Sequence, residues 1–369
     1  MKLSLAVNPN AIDRSSTWDS LLENAKAAGF SEVFTSIHLP EFTIEEQIGL
    51  LEKLNAKVKK YQMELCVDLG GPQIREILND AKRTKRVRDT KIDTLRMDFG
   101  FTPEDLKQII EELKIKGFSL NASMLSEEKL VYRSNLLKSI DANVRLSACH
   151  NYYPRPETGL DVPFYLAQNK ICHRLGLAVM TCVPLTHDQR GPIYAGLPTL
   201  EKHRGKNLKE ILVDLLPYLQ EDDGILLADE NCQPQEFEWV KEIFVERELT
   251  LPVVLEADCP KYERDLLLAK RHILRYDAND LLLRSLTSRA MSQYALPITP
   301  RVSQKRSRGA VTIDNNDYQR YSGEIQFVRR PLPKDKRVNL IGTLSEASIS
   351  MMEKTFQHGF HYRFKEEKK

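Results

Sequence analysis

The feature that most constrains the fold is a regular alternation of short apolar runs and amphipathic segments along the amino-terminal two thirds of the chain. Eight strand-like runs can be counted, at residues 3–7, 33–35, 63–67, 94–97, 118–120, 144–149, 177–183 and 224–228. Most are followed by helical sequence, as at Thr43–Glu46, where a capping-box pattern opens a long amphipathic segment. Eight such units predict an α/β fold of the (β/α)8 TIM type over residues 1–249. A doubly wound dinucleotide fold is disfavoured because the sequence has no G-x-G-x-x-G motif.

The pattern changes after about residue 250. Short β-rich runs follow at residues 251–256, 271–275, 309–313, 324–328 and 338–341, with turn residues between them. A chain of 369 residues exceeds the usual size of one hydrophobic core. We therefore predict two domains: the barrel, and a small β-rich barrel or sandwich domain over residues 250–369.

The composition is that of an ordinary soluble protein. There are 54 basic and 52 acidic residues, so the net charge of +2 gives no general attraction to nucleic acid or to anionic membranes. No segment approaches the roughly 20 apolar residues of a membrane span, and the amino-terminal apolar run is too short for a signal peptide. We expect a cytoplasmic protein without nucleic-acid or membrane partners. The six cysteines form no C-x-x-C pair, which favours buried, reduced thiols.

Polar residues follow many of the predicted barrel strands. In a (β/α)8 barrel they would converge on one mouth, where such enzymes carry out their chemistry; they are Asp68, Asp98, Asn121, His150, Asn151 and Asp229. Glycoside cleavage needs two carboxyl groups, or one carboxyl group and an acetamido group on the substrate. The neighbours Asp229 and Glu230 suit an acid and an orienting partner, although only one of the two need point inward.

Four side chains could instead be ligands of a divalent metal ion; they are Asp68, His150, Asp229 and Glu256. The sequence has no H-x-H or H-E-x-x-H motif, so we predict neither a metal nor another cofactor. The long loop 190–204 could hold an anion through Arg190, His203 and Arg204, or could be a surface excursion in which Thr199 caps a helix.

The segment 306–324 of the second domain is dense in residues that bind polar ligands. Arg284 and Arg289 lie shortly before it, and the concentration of arginines suggests an anion at the junction of the domains. Asp314-Asn315 is equally compatible with simple turn chemistry.

Several long strings give the chain a family resemblance. They are HNYYPRPETGL at 150–160, RGP at 190–192, GLPTLE at 196–201 followed by His203-Arg204, and IDN at 313–315 followed by Tyr318, Arg320-Tyr321 and Gly323-Glu324. In these strings the chain resembles the bacterial 6-phospho-N-acetylmuramidases of cell-wall recycling. The resemblance implies a TIM-type barrel with a cyclophilin-like β domain, and hydrolysis of the β-1,4 bond of 6-phospho-N-acetylmuramyl-N-acetylglucosamine in the cytoplasm. Prolyl isomerase activity is not implied, because likeness of fold does not carry function.

We therefore predict a metal-independent glycosidase whose partner is a small phosphorylated amino sugar. Asp98 and Asp229, with Glu230, are the predicted catalytic carboxylates. His150 and Asn151 would position the sugar, and Arg204, Arg289 and Arg308 would contact phosphate or the lactyl group. The full predicted substrate-binding set is Asp68, Asn121, His150, Asn151, Tyr153, Arg190, Glu201, His203, Arg204, Arg289, Arg308, Asp314, Tyr321 and Glu324. The alternatives are a metal-dependent phosphosugar isomerase or aldolase on the same barrel, and a non-catalytic phosphosugar-binding protein.

Overall fold

The chain packs as two compact units. The structure is a computed structural model that describes residues 1–8, 15–37, 42–229, 232–268, 271–292 and 297–368. The first unit comprises Met1–Ile211 and Tyr218–Lys241, and the second comprises Leu212–Pro217 and Glu242–Lys369.

The first unit is built on a closed barrel of eight parallel strands in chain order, with β8 hydrogen-bonded to β1. The strands are β1 (Lys2–Ala6), β2 (Glu32–Ser36), β3 (Glu64–Leu69), β4 (Thr94–Met97), β5 (Gly117–Asn121), β6 (Arg145–Cys149), β7 (Ala178–Val183) and β8 (Gly224–Leu227). All eight predicted runs form these strands, and the predicted TIM-type fold is confirmed.

Helices alternate with the barrel strands. They are α1 (Ser15–Ala27), α2 (Ile44–Lys60), α3 (Gly71–Leu78), α4 (Ala81–Asp89), α5 (Pro103–Gln108), α6 (Glu127–Ile140), α7 (Val162–Arg174), α8 (Leu208–Leu215) and α9 (Pro234–Val240). The capping box predicted at the start of α2 is present, since the Thr43 hydroxyl accepts from the Glu46 N–H and the Glu46 carboxylate accepts from the Thr43 N–H. Two backbone donors at the helix start are thereby satisfied.

The twofold alternation of a strand decides which side chains enter the barrel. Leu65, Leu95 and Phe118 have no exposed surface. Their strand neighbours, including Cys66, Thr94 and Ser119, line an interior cavity of ≈ 70 Å³. Residues two positions further along each strand share that side and stand nearer the carboxyl end of the barrel. By this rule Asp68, Arg96 and Asn121 also point inward.

The second unit is built on a single seven-stranded sheet in the order β10-β15-β9-β14-β12-β13-β11. The strands are β9 (Glu248–Leu255), β10 (His272–Ile273), β11 (Leu282–Arg284), β12 (Ala310–Asp314), β13 (Ile325–Val328), β14 (Val338–Leu344) and β15 (His361–Glu366). Among the described strands of this sheet, β9 and β15 pair in parallel and the other pairs are antiparallel. The helices are α10 (Lys261–Leu268), α11 (Ser288–Ser292) and α12 (Glu346–Thr355).

The prediction of a small β-rich second domain is confirmed, but its strands form one sheet where a barrel or sandwich was expected. Likeness to cyclophilins in particular stays a prediction. The predicted boundary between residues 249 and 250 falls inside β9, whose Glu248 pairs with His361 of β15. We therefore propose a boundary before Glu248.

All six cysteines are free, and five of them are buried while Cys259 is partly exposed. Within the described ranges, no helix combines the length and the apolar character needed to cross a bilayer.

Candidate active site

A cluster of polar side chains at the carboxyl ends of β3 to β6 is organised by a buried arginine. Arg96 donates from Nη1 to Asp68 Oδ1 at 2.9 Å and from Nη2 to Asn151 Oδ1 at 2.6 Å. The same Nη1 lies 3.7 Å from Asp98 Oδ1. Asn121 Nδ2 donates to Asn151 Oδ1 at 2.9 Å. We call these five residues the mouth cluster; it brings together four of the predicted site residues.

The two carboxylates of the mouth cluster lie in different surroundings. Asp68 is 8% exposed, whereas the Asp98 side chain is 41% exposed. Burial raises the pKa of Asp68 above its usual value; the adjacent Arg96 charge opposes this rise, and the Asp98 charge adds to it. A pair of acids in contrasting environments is the arrangement by which glycosidases divide acid and charge-stabilising roles.

His150 contacts the mouth cluster indirectly, through Ser123. It is fully buried, with Nδ1 3.0 Å from the Ser123 hydroxyl and Nε2 2.7 Å from Asn169 Oδ1. Burial lowers its pKa to about 4, so the ring is neutral at physiological pH. Ser123 Oγ in turn accepts from the Asn151 N–H at 3.0 Å. The predicted direct contact of His150 with a sugar is not supported, because both ring nitrogens are engaged inside the protein.

Asn121 is held in one orientation. Its Oδ1 accepts from the Ser123 and Met124 N–H groups, both at 3.0 Å, which leaves its amide nitrogen directed at Asn151.

Asp229 is fully buried below the loop that follows β7. Its Oδ2 accepts from the N–H groups of Leu185 at 3.0 Å and Leu197 at 3.2 Å, and its Oδ1 accepts from the Arg190 N–H at 3.0 Å. Burial raises its pKa, and the three backbone hydrogen bonds act in the opposite direction. A carboxylate enclosed in this way holds a loop, and its geometry does not support the predicted contact with a scissile bond. Glu230 lies outside the described residues.

Glu201 and Arg204 join the loop after β6 to the loop after β7. Arg204 donates from Nε and Nη2 to Glu201, from Nη1 to the carbonyls of Ala195 and Gly196, and from Nη2 to the Tyr153 carbonyl. Glu201 also accepts from the Glu157 and Gly159 N–H groups, and hydrogen bonding from Arg204 lowers its pKa to about 2.

The predicted anion contact of Arg204 is therefore not supported, because each of its guanidinium nitrogens already donates within the protein. His203 is buried, so a contact with solvent-borne substrate is not supported for it either. Tyr153 is partly buried, and its N–H donates to the Pro198 carbonyl at 2.9 Å. The charge of Arg190 lowers the pKa of Tyr152, which burial raises more strongly.

In the second unit the predicted residues separate into two places. Arg308 donates to Glu346, Glu353 and the Arg329 carbonyl, so its predicted ligand contact is not supported. Four others, Arg289, Asp314, Tyr321 and Glu324, line one pocket of ≈ 360 Å³ together with Arg275 and Arg284.

Arg96 was missed by sequence reasoning although a signal was present. It lies between Leu95 and Met97 in a four-residue strand, and strand alternation puts it on the opposite side from these two apolar residues. A charged residue in that position must enter the barrel, where it needs a partner of opposite charge.

The four possible metal ligands named from the sequence are not gathered. Over the described residues, no group of three or more His, Cys, Asp or Glu side chains is arranged to hold a metal ion.

The family profile described as 6-phospho-N-acetylmuramidase, N-terminal, matches residues 5–242, and the one described as 6-phospho-N-acetylmuramidase, C-terminal, matches residues 249–365. No curated protein is similar enough in sequence to count as a relative.

Two solved structures resemble the whole chain. A conserved Enterococcus faecalis protein of unknown function is 30% identical with a TM-score of 0.78, and the match covers 100% of this chain and 97% of that one. An uncharacterised B. cereus protein is 22% identical with a TM-score of 0.74 and 99% of each chain covered, which shows likeness of fold. Because the two profiles together cover nearly the whole chain, the protein belongs to the 6-phospho-N-acetylmuramidase family.

Proposed function

We propose that the protein hydrolyses the β-1,4 bond of 6-phospho-N-acetylmuramyl-N-acetylglucosamine in the cytoplasm, as a step in cell-wall recycling. The observation that carries this proposal is the pair of carboxylates, Asp68 and Asp98, whose Oδ1 atoms lie 2.9 Å and 3.7 Å from Arg96 Nη1 at the barrel mouth. The family to which the chain belongs supplies the substrate class.

Asp68 is proposed as the general acid. Burial raises its pKa above that of an ordinary aspartate, which suits a group that must carry a proton and pass it to the leaving glycosidic oxygen as the C1–O bond breaks. Asp98 is exposed enough to approach the sugar, and it stabilises the positive charge that develops at the anomeric carbon, directly or through the substrate's acetamido group. Water then adds to the anomeric carbon, supplies the oxygen of the new hemiacetal and returns one proton to the Asp68 carboxylate.

The other predicted residues take supporting roles in this proposal. Asn121 and Asn151 present amide groups beside the acids. Asp229 anchors the loop that carries Arg190, and Arg190 remains a proposed contact for phosphate or the lactyl carboxylate. Glu230 remains a proposed catalytic partner on the sequence argument alone.

Incubation of the purified protein with the phosphorylated disaccharide, followed by mass analysis of the products, tests the proposal. We expect two monosaccharides whose summed mass exceeds that of the disaccharide by one water. Asp68→Asn and Asp98→Asn should each lower kcat by roughly 10²–10⁴-fold. Asp80→Asn is the matched control, because Asp80 caps α4 and asparagine caps a helix equally well.

Near-normal turnover in both Asp68→Asn and Asp98→Asn would remove the assignment. Binding of the disaccharide without cleavage would favour a phosphosugar-binding protein. Loss of activity on adding a chelator, restored by a divalent metal, would favour the metal-dependent alternative.

A further inference from the structure

A pocket in the second unit has the makings of a separate ligand site. We call it the second-unit pocket; it has a volume of ≈ 360 Å³, within the roughly 300–1,000 Å³ of small-molecule sites. Its polar lining includes Arg275, Arg284, Asp314, Tyr321, Glu324 and Gln326. All of these residues belong to the second unit.

Two buried carboxyl groups form one wall of the pocket. Asp314, at the end of β12, is 5% exposed; its Oδ2 accepts from Gln326 Nε2 at 3.0 Å, while its Oδ1 is buried without a hydrogen-bond partner. An unsatisfied buried polar atom is costly unless something else meets it. Glu324, just before β13, is buried close to Asp314. This wall can accept hydrogen bonds from the hydroxyl groups of a ligand.

Two arginines face the same wall with donors to spare. Asp277 accepts from Nε and Nη2 of Arg275 and from Nη2 of Arg284, which fixes the outer edges of both guanidinium groups. Their Nη1 atoms lie 4.0 Å and 3.8 Å from the Glu324 carboxylate, beyond hydrogen-bond distance. Held in this way, the two groups present a forked arrangement that suits phosphate or carboxylate.

An aromatic side chain completes the pocket. Tyr321 is 45% exposed, and the guanidinium groups of Arg289 and Arg320 stand 5.3 Å and 4.9 Å from its ring centre. These cation–π contacts fix the ring in the pocket lining, where its exposed part can contact the apolar part of a ligand.

We propose that the second-unit pocket binds an anionic sugar. Arg275 and Arg284 contact its phosphate or carboxylate, and Asp314 accepts a hydrogen bond from one of its hydroxyl groups. The proposal concerns binding within the second unit and does not depend on bond cleavage at the barrel.

Isothermal titration calorimetry on the full chain tests it with four probes: N-acetylglucosamine 6-phosphate, N-acetylmuramic acid, N-acetylglucosamine and inorganic phosphate. We expect the phosphorylated or the carboxylated sugar to bind at least tenfold more tightly than the neutral sugar and than phosphate alone. Comparison of the first two probes identifies the anion.

Arg275→Gln and Arg284→Gln should each weaken this binding at least tenfold, and Tyr321→Ala provides a third variant at a more exposed position. Arg330→Gln is the matched control, since Arg330 is exposed in the same unit and lies outside the pocket lining. Thermal unfolding of each variant checks that it is folded.

The two arginine variants distinguish the two sites, because a ligand held in the barrel would keep its wild-type affinity in both of them. Equal binding of neutral and anionic sugars, no binding of any probe, or wild-type affinity in folded Arg275→Gln and Arg284→Gln proteins would overturn the proposal.

Discussion

Arg96 is the residue on which the barrel mouth depends. A buried guanidinium is costly unless charged and polar partners compensate for its lost hydration. The side-chain oxygens of Asp68 and Asn151 accept hydrogen bonds from this guanidinium, and the Asp98 carboxylate supplies a negative charge nearby. Through these contacts Arg96 lies beside both a buried acid, Asp68, and an exposed acid, Asp98. Arg96 is thus proposed as a positioning residue that acts on the acids.

Arg96→Lys tests that role, because lysine retains the charge but cannot bridge Asp68 and Asn151 with a planar fork. We expect kcat on the phosphorylated disaccharide to fall about tenfold to a hundredfold, with a shift in the pH–rate profile because the pKa of Asp68 depends on this neighbour. Arg145→Lys, at the exposed start of β6, is the control. An unchanged pH profile in a folded Arg96→Lys protein would argue for a merely structural role.

Asp229→Asn separates anchoring from catalysis. An asparagine amide can replace only part of the acceptor capacity of a carboxylate that receives three backbone N–H groups. An unmatched buried donor costs about 1–3 kcal/mol, so the unfolding temperature should fall by several degrees.

If Asp229 only holds the loop, KM should rise more than kcat falls in this variant. A fall in kcat as large as that of Asp98→Asn, with an unchanged unfolding temperature, would restore Asp229 to the catalytic set.

At the scale of elements, the loops after β6 and β7 behave as one structure. Thr199 Oγ1 donates to the Asn151 carbonyl at 3.0 Å, and the Leu160 N–H donates to the Thr199 carbonyl at 2.8 Å. Gly159 is required where the two loops meet, since a Cβ at this position would lie 2.6 Å from Glu201 Oε2. The strings that carry the family resemblance are therefore mainly strings that pack these loops together.

Arg204→Gln should loosen this pair of loops. The variant loses most of the donors that fasten Glu201 and the Tyr153 carbonyl. Hydrogen exchange measured by mass spectrometry should then show faster exchange of the Glu157 and Gly159 amides than in the wild type. Arg174→Gln, which breaks an exposed pair with Glu127, should leave both amides unchanged. If both amides exchanged as slowly in the Arg204 variant as in the wild type, Arg204 would not be what holds the two loops together.

The barrel was predictable because its strands repeat one local pattern, an apolar run ending in a polar residue. The alternation also brought Asp68, Asn121 and Asn151 to one mouth. What the pattern could not tell is burial: His150 and Asp229 occupy equivalent strand-end positions, yet their neighbours enclose them completely. Burial depends on contacts with residues far away in sequence, such as Asn169 for His150.

For the same reason the sequence could not show which arginines are available to bind an anion. Arg204 and Arg308 are of the residue type expected of anion ligands, but nearby carboxylates and carbonyls accept their hydrogen bonds. Arg275 and Arg284, by contrast, share hydrogen bonds to Asp277, stand farther from Glu324, and both line the second-unit pocket. The β15 strand was missed because its charged residues resemble a solvated tail, whereas parallel pairing with β9 buries Tyr362 and Phe364.

At the scale of the whole molecule, the near balance of 54 basic and 52 acidic residues means that individual buried groups, more than net charge, determine how stability varies with pH. Most acids with lowered pKa values, such as Glu201, stabilise the fold at neutral pH. The contribution of Glu201 is lost as the pH falls from about 4 toward about 2.

Asp314 works in the opposite direction. Burial, with a further contribution from the Glu324 charge, raises its pKa to about 7, against about 3.9 in an unfolded chain. Between these values the folded protein holds a proton that the unfolded chain has released, so stability falls as the pH rises from about 4 to about 7.

Asp314→Asn should remove this dependence, because an asparagine amide resembles the protonated acid and can still accept from Gln326. Urea unfolding should show the variant to be more stable than the wild type at pH 8, by on the order of a few kcal/mol, and nearly equal to it at pH 4. Asp317→Asn, at an exposed position three residues further along, should give no such difference. An advantage of the same size at both pH values would mean that folding does not raise the pKa of the Asp314 carboxyl above its value in the unfolded chain.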